Sequence, residues 1–279
     1  MARLRQKRNW IYFLAALLIF FVLRIIFYHS QINVYDGFEH PTLSDNWSAE
    51  RMVPTAFEIQ SKIVRSGKMA AKITLQTGDK VEEKTDKDKA SERDELSETI
   101  SLFAIEGEKY EYQFSMFLPE NFPIVPVRLV IAQWKLYCPI CACSENSPIL
   151  AIRYFSGKIM ITLQTSSVRN TLYISSDEFR NRWLDFRFQI RFSKLKDGEV
   201  IAYLNQKQIV NYQGVTSYPD NCLVLSDKNK YYFKMGLYRD RMPEPMTIYI
   251  MERKTHLSVC RWDISDLALR KNIFTNCIW

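Results

Sequence analysis

Side chains that alternate between apolar and polar over long runs confine this chain to β structure. Tyr110, Tyr112, Phe114, Met116 and Leu118 alternate with polar neighbours until Pro119 ends the run, and Phe186, Phe188, Ile190 and Phe192 alternate with Asp185, Arg187, Gln189 and Arg191. A period of two places one set on a core and the other towards water, the pattern of half-buried antiparallel strands. Turn residues recur at Ser156-Gly157, Asp197-Gly198 and Asn205-Gln206, spaced for a sandwich of hairpins rather than for βαβ units. No long segment with a period near 3.6 follows residue 30. One short helix, over residues 176–183 with Ser176 as its cap, is the exception the pattern allows.

Two further stretches frame these strands. From Phe57 to Leu75 the sequence predicts a hairpin turning at Arg65-Ser66-Gly67-Lys68. Residues 78–91, GDKVEEKTDKDKAS, carry dense charge of both signs without an aromatic, which predicts a solvated loop.

The N-terminus is of another kind. Trp10 to Tyr28 is apolar except for Arg24, a length sufficient to cross a bilayer of about 30 Å. The division expected is a basic cytoplasmic segment at 1–9, a transmembrane signal anchor at 10–29 and a folded domain at 30–279 in the periplasm or outside the cell. A cleavable leader needs small residues at its junction, and Ile25, Ile26, Phe27 and Tyr28 are bulky. The net charge of +7 is concentrated here as well. Arg3, Arg5, Lys7, Arg8 and Arg24 precede residue 30, where there is no acid; without them, 33 of the 38 basic residues face 31 acidic ones. A body of about +2 gives no general electrostatic reason to bind nucleic acid, so any anion specificity must be local.

Three stretches carry local candidates. Tyr231-Tyr232-Phe233-Lys234-Met235-Gly236-Leu237-Tyr238 puts Tyr231, Phe233, Met235 and Leu237 on a core face. Tyr232, Lys234 and Tyr238 take the other face around Gly236, where a missing side chain would let a flat ligand approach the backbone. By itself this also reads as a half-solvated strand whose tyrosines pack. In Arg93-Asp94-Glu95-Leu96, Arg93 and Glu95 share a face with Leu96 turned inward; standing alone, the pair reads as a surface ion pair. In residues 129–136, LVIAQWKL, Gln133 and Lys135 oppose Trp134. A glutamine there needs a core partner or a cleft, and the adjacent lysine argues for the cleft.

In this order, Arg93-Asp94-Glu95-Leu96, Gln133-Trp134-Lys135 and Tyr232-Phe233-Lys234-Met235-Gly236-Leu237-Tyr238 resemble the jelly-roll polysaccharide lyases, the alginate, glucuronan and heparin-cleaving enzymes. Their motifs are Arg-x-Glu-Leu, Gln-x-His and Tyr-Phe-Lys-x-Gly-x-Tyr. The resemblance covers nearly everything after residue 34. It implies an all-β fold, a two-sheet antiparallel β-sandwich of jelly-roll, concanavalin A-like type, with a groove for an anionic polysaccharide.

It also implies β-elimination: loss of the C5 proton of a uronic acid and departure of the 4-O-linked sugar. Arg93 and Gln133 would neutralise the carboxylate. Tyr238 would serve as base or acid, its pKa lowered by Lys234 and Arg93. Lys234, Tyr232 and Glu95 would line the substrate. Lys135 stands where the pattern has histidine, and His29, His40 and His256, the only histidines, fall in no matching motif. A lysine neutralises a carboxylate but does not reproduce a neutral imidazole, so a catalytically degenerate, membrane-anchored acidic-glycan-binding protein is the competing expectation.

No cofactor or catalytic metal is called for. Structural calcium, found in some relatives, has no assignable ligands here. Six cysteines include Cys138, Cys141 and Cys143; beyond a membrane, disulfides at the groove rim fit them better than a zinc site without a second paired set.

Overall fold

The computed structural model describes residues 10, 12–19, 33–80, 90–138, 147–219 and 228–255. In chain order the strands are β1 (Asn33–Asp36), β2 (Trp47–Arg51), β3 (Phe57–Gln60) and β4 (Ala70–Leu75). Next come β5 (Ser91–Glu98), β6 (Ala104–Ile105), β7 (Lys109–Leu118) and β8 (Leu129–Leu136). They are followed by β9 (Leu150–Phe155), β10 (Lys158–Gln164), β11 (Arg169–Ile174) and β12 (Arg182–Arg191). β13 (Gly198–Leu204), β14 (Lys207–Gly214), β15 (Lys230–Asp240) and β16 (Met246–Thr255) complete the set among the described residues.

These strands form two antiparallel sheets. The first runs β14-β13-β12-β7-β16-β4-β3 with β1 beside β16, and the second runs β11-β10-β9-β8-β15-β5-β2 with β6 beside β15. The alternation that limits the chain to strands decides what lies between them. Tyr110, Tyr112, Phe114, Met116 and Leu118 from β7 are buried, as are Leu184, Phe186, Phe188 and Ile190 from β12. They meet Trp134 of β8 and Phe233 of β15, whose ring centroids are 4.8 Å apart. Trp134 also lies 4.8 Å from Phe188 and 5.3 Å from Tyr112, so one indole stitches the two sheets together.

The turns follow the sequence. Gly67 takes a φ of 74° in the β3–β4 hairpin, and Ser156-Gly157 and Asn205-Gln206 pair two positive φ values each, as tight two-residue hairpin loops require. Two other expectations meet a different outcome. The helix at 176–183 does not form: Asn181 adopts a φ of 55° and β12 starts at Arg182, setting Trp183 opposite Phe117. Ser176 Oγ donates to the Asp177 carboxylate (3.2 Å) instead of capping a turn; pairing with β7 outcompetes a local helix.

Of the expected transmembrane anchor, the structure describes only residues 10 and 12–19. Residues 12–19 are helical and exposed, and no helix among the described residues is long and apolar enough to cross a membrane. Residues 20–29 of that segment lie outside the described residues, as do residues 81–89 of the charged loop and Cys141, Cys143, Cys222, Cys260 and Cys277.

Candidate functional site

The middle of the second sheet brings the three sequence stretches together. β15 lies between β8 and β5. Its core face is the expected one, since Tyr231, Phe233, Met235 and Leu237 are fully buried. That commitment sends Tyr232, Lys234, Gly236 and Tyr238 to the outer face. On β8, burial of Trp134 does the same for Gln133 and Lys135; on β5, burial of Leu96 does it for Arg93 and Glu95. Register then fixes their neighbours: Lys234 faces Gln133, Tyr232 faces Lys135, Gly236 faces Glu95 and Tyr238 faces Arg93. Residues some 140 positions apart therefore share one patch of sheet.

Glu95 is the patch's organising acid. One carboxylate oxygen accepts from Lys234 Nζ at 2.7 Å, with Arg93 Nη1 at 3.6 Å from the same oxygen, and the other accepts from Gln133 Nε2. Glu95 and Lys234 are only 1% and 2% exposed, so this is no surface ion pair. Burial by itself would raise the Glu95 pKa, but Lys234, Arg93 and the Gln133 amide outweigh it and hold the carboxyl ionised. Burial and the neighbouring Arg93 and Lys135 pull Lys234 below the ordinary lysine value, against the attraction of Glu95. Glu95, Lys234, Arg93 and Gln133 thus adjoin one another on the outer face, with the Lys234 ammonium committed to Glu95.

Tyr238 sits between two guanidiniums. Arg93 Cζ lies 4.1 Å and Arg128 Cζ 4.5 Å from the centre of its ring. Burial pushes its pKa up, but Ser91, Arg128 and Arg93 together bring it below the usual phenol value. Among the described residues Ser91 Oγ has no partner in ordinary hydrogen-bond geometry, yet its closeness to the phenol favours the anion. Lys135 is depressed as well, first by burial and then by Arg93 and Arg51 against the pull of Glu95. Tyr232 packs its ring against Phe103, 5.3 Å away and nearly parallel, and burial raises its pKa.

Gly236 has a different reason for being glycine than an open face for a ligand. A Cβ there would stand 2.3 Å from Asp94 O and 2.7 Å from Glu95 Cα, at a φ of 141°. The β5 backbone occupies that space, so the glycine secures strand approach.

Sequence reasoning missed two cations of the site. Arg128, just before β8, is held by Asp240 through Nε (2.9 Å) and Nη2 (2.7 Å). Arg153 on β9 is buried beside Ala151, and its Nε donates to Thr162 Oγ1 at 3.0 Å. An arginine inside the apolar run LAIRYF was the same signal that singled out Gln133. Among the described residues no group of three or more His, Cys, Asp and Glu side chains is arranged to hold a metal ion.

A family model described as polysaccharide lyase matches residues 38–254. No curated protein sequence matches the chain. Among solved structures, an endo-β-1,4-glucuronan lyase from the fungus Trichoderma reesei is similar at 16% identity and a TM-score of 0.58, over 75% of this chain and 90% of that one. A GH131 β-glucanase catalytic domain from Podospora anserina is 12% identical with a TM-score of 0.56, over 82% and 97%. The alginate lyase AlgAT5 of polysaccharide lyase family 7 is 12% identical with a TM-score of 0.50, over 75% and 94%. At such identities the likeness speaks to the fold, the jelly-roll sandwich these enzymes share.

Proposed function

Because the chain belongs to the polysaccharide lyase family, we propose that it cleaves a uronic-acid-containing polysaccharide by β-elimination on the outer face of β5, β15 and β8. One observation carries the reading: a phenol of lowered pKa, Tyr238, lies between Arg93 and Arg128 in the same patch as Gln133 and Lys135.

The chemical obstacle is the C5 proton, which is scarcely acidic while the adjacent carboxylate keeps its charge. Arg93 and Lys135 supply positive charge for that carboxylate, and Gln133 has a second amide hydrogen to offer once the first is given to Glu95. Glu95 positions these donors rather than reacting. Tyr238, as phenolate, takes the C5 proton; the C4–O bond breaks, a C4=C5 double bond forms, and the phenol returns its proton to the departing oxygen. The sheet supplies fixed charges at the point where the enolate-like charge develops, a preorganised stabilisation that water does not provide.

Lys135 in the histidine position favours one second reading, retention of an acidic glycan without turnover. Incubating the protein with glucuronan, alginate and glycosaminoglycans while following ultraviolet absorbance separates the two. Cleavage predicts an unsaturated product, reduced about 10²- to 10⁴-fold by Tyr238→Phe. Retention without absorbance, weakened by Arg93→Ala, supports the binding module; neither result sinks both readings. We further propose that the basic and apolar residues before position 29 tether the domain on the outer side of a membrane, which predicts recovery of the full chain in a membrane fraction resistant to alkaline extraction.

A further inference from the structure

The proposed chemistry uses the charges around Tyr238 for one sugar, and the sheet holds more than one sugar needs. Across the strands from β2 to β11 the outer face presents Arg51, Arg93, Lys234, Lys135, Arg153 and Arg169 in turn. Arg153 differs from the rest. Only 8% of it is exposed, its Nε donates to Thr162 Oγ1, and among the described residues no carboxylate pairs with it. Its charged neighbours are two cations, Arg169 and Arg128, and the Tyr238 phenol; burial, Arg169 and Arg128 push its pKa down to about 10 against the weaker pull of Tyr238. A guanidinium taken out of water beside two like charges is costly to the fold. That cost is offset when an anion arrives.

Register fixes where such an anion would lie. Arg153 faces Val130 on β8, and Val130 faces Tyr238 on β15, whose other neighbour in the same row is Arg93 on β5. Arg153 is thus two strands from Tyr238, about 10 Å by ordinary strand spacing, on the side away from Arg93. A polymer lying across the strands passes from one guanidinium to the other over the phenol.

We propose that Arg153, with Arg169 beside it, forms a second anion subsite that binds the carboxylate of the sugar adjoining the one at Tyr238, so that the substrate is a contiguous uronan rather than a chain alternating uronic acid with neutral sugar. The inference rests on the polysaccharide lyase reading and narrows it.

The test compares the full-length protein on polyglucuronate and alginate with its action on unsulfated and sulfated glycosaminoglycans, reading unsaturated product and retention on immobilised polymer. The parent favours the contiguous polymers about tenfold or more over the unsulfated alternating chain. Arg153→Gln lowers that ratio towards one, mainly through KM, whereas Arg153→Lys keeps much of it. Because the substitution removes a buried charge that no carboxylate among the described residues pairs with, Arg153→Met raises the Tm without polymer and shrinks the further rise that polyglucuronate produces. Equal use of contiguous and unsulfated alternating chains, or an unchanged ratio in Arg153→Gln, overturns the subsite while leaving the lyase reading intact. A preference for the sulfated alternating chain overturns the carboxylate assignment. Failure to retain or cleave any uronan removes the parent reading itself.

Discussion

Asp94 lies between Arg93 and Glu95 in sequence but points the other way, into the protein, where it is fully covered. Its Oδ1 accepts the Val53 amide at 2.8 Å, while among the described residues Oδ2 has no donor. The nearest charged groups are Asp79 and, more weakly, Lys80; Asp79 is tied down by the Gln76 amide at 2.8 Å. A proton shared by the two carboxyls would supply the missing hydrogen bond. Accordingly burial first, and then Asp79, lift the Asp94 pKa from 3.8 to about 7 against the Val53 bond.

A carboxyl that holds its proton more tightly when folded stabilises the fold at acid pH. Its contribution is complete below the unfolded value and gone above the folded one, so stability from this group falls between pH 4 and pH 7. The difference is worth at most about 4 kcal/mol; since Asp79 is itself half-exposed, half of that, ~2 kcal/mol, is the fairer figure. Asp94→Asn keeps the oxygen for Val53 and replaces the shared proton with an amide hydrogen. It should therefore raise the Tm by roughly 4–8 °C at pH 8 and change it little at pH 4. Thermal unfolding followed by circular dichroism across that range is the assay. A variant no more stable than its parent at pH 8, or a difference that ignores pH, refutes the shared proton.

Other perturbations probe the same sheet. Gly236→Ala sets a methyl against Asp94 O and Glu95 Cα, so β5 and β15 must part, at a cost of about 3 kcal/mol or more in urea unfolding; an unchanged midpoint would mean the strands separate freely. Arg239 and Glu92 form a fully buried pair at 2.6 Å. Arg239→Met alone should lose about 3–5 kcal/mol, and Arg239→Met with Glu92→Leu should regain most of it; equal losses would show that the stranded carboxylate is not the cause. Removing Arg128 as Arg128→Met takes away a cation that lowers the Tyr238 pKa, so the rising limb of a pH–rate profile should move to higher pH. A limb that stays in place would assign it to another group.

Much of this was legible before any coordinates. Strand β15 declares both of its faces, because four large apolar side chains at alternate positions have only one place to go. Arg93, Glu95, Gln133 and Lys135 follow from the same alternation once Leu96 and Trp134 are assigned to the core. What escaped depends on partners distant in sequence. β5 reads SERDELSE, polar on both faces, and nothing local says that Glu92 and Glu98 turn inward. They do so because Arg239 and the Phe233 amide wait for them. Arg153 reaches the site only through a register that shifts at Val130 and Ala132, and a bulge is not written in a period of two.

The charge balance of the patch sets opposing demands on pH. Glu95 is the one acid on the outer face of β5, and it is already shared among Lys234, Arg93 and Gln133, so Lys135 and Tyr238 respond to any carboxylate that arrives. A bound uronate raises the pKa of both, since it favours the ammonium and disfavours the phenolate. Binding therefore takes up protons and tightens as the pH falls, whereas proton abstraction by Tyr238 needs the phenolate and speeds up as the pH rises. Arg128 works against the second penalty by staying on the phenol ring while the substrate occupies Arg93, Lys135 and Gln133. A histidine in place of Lys135 would titrate nearer pH 7 and would take up its proton over a lower range of pH than the lysine does. Lys135→His should accordingly move the pH range over which retention on polyglucuronate changes to lower pH, and a range unmoved from the parent's would place the responding group elsewhere.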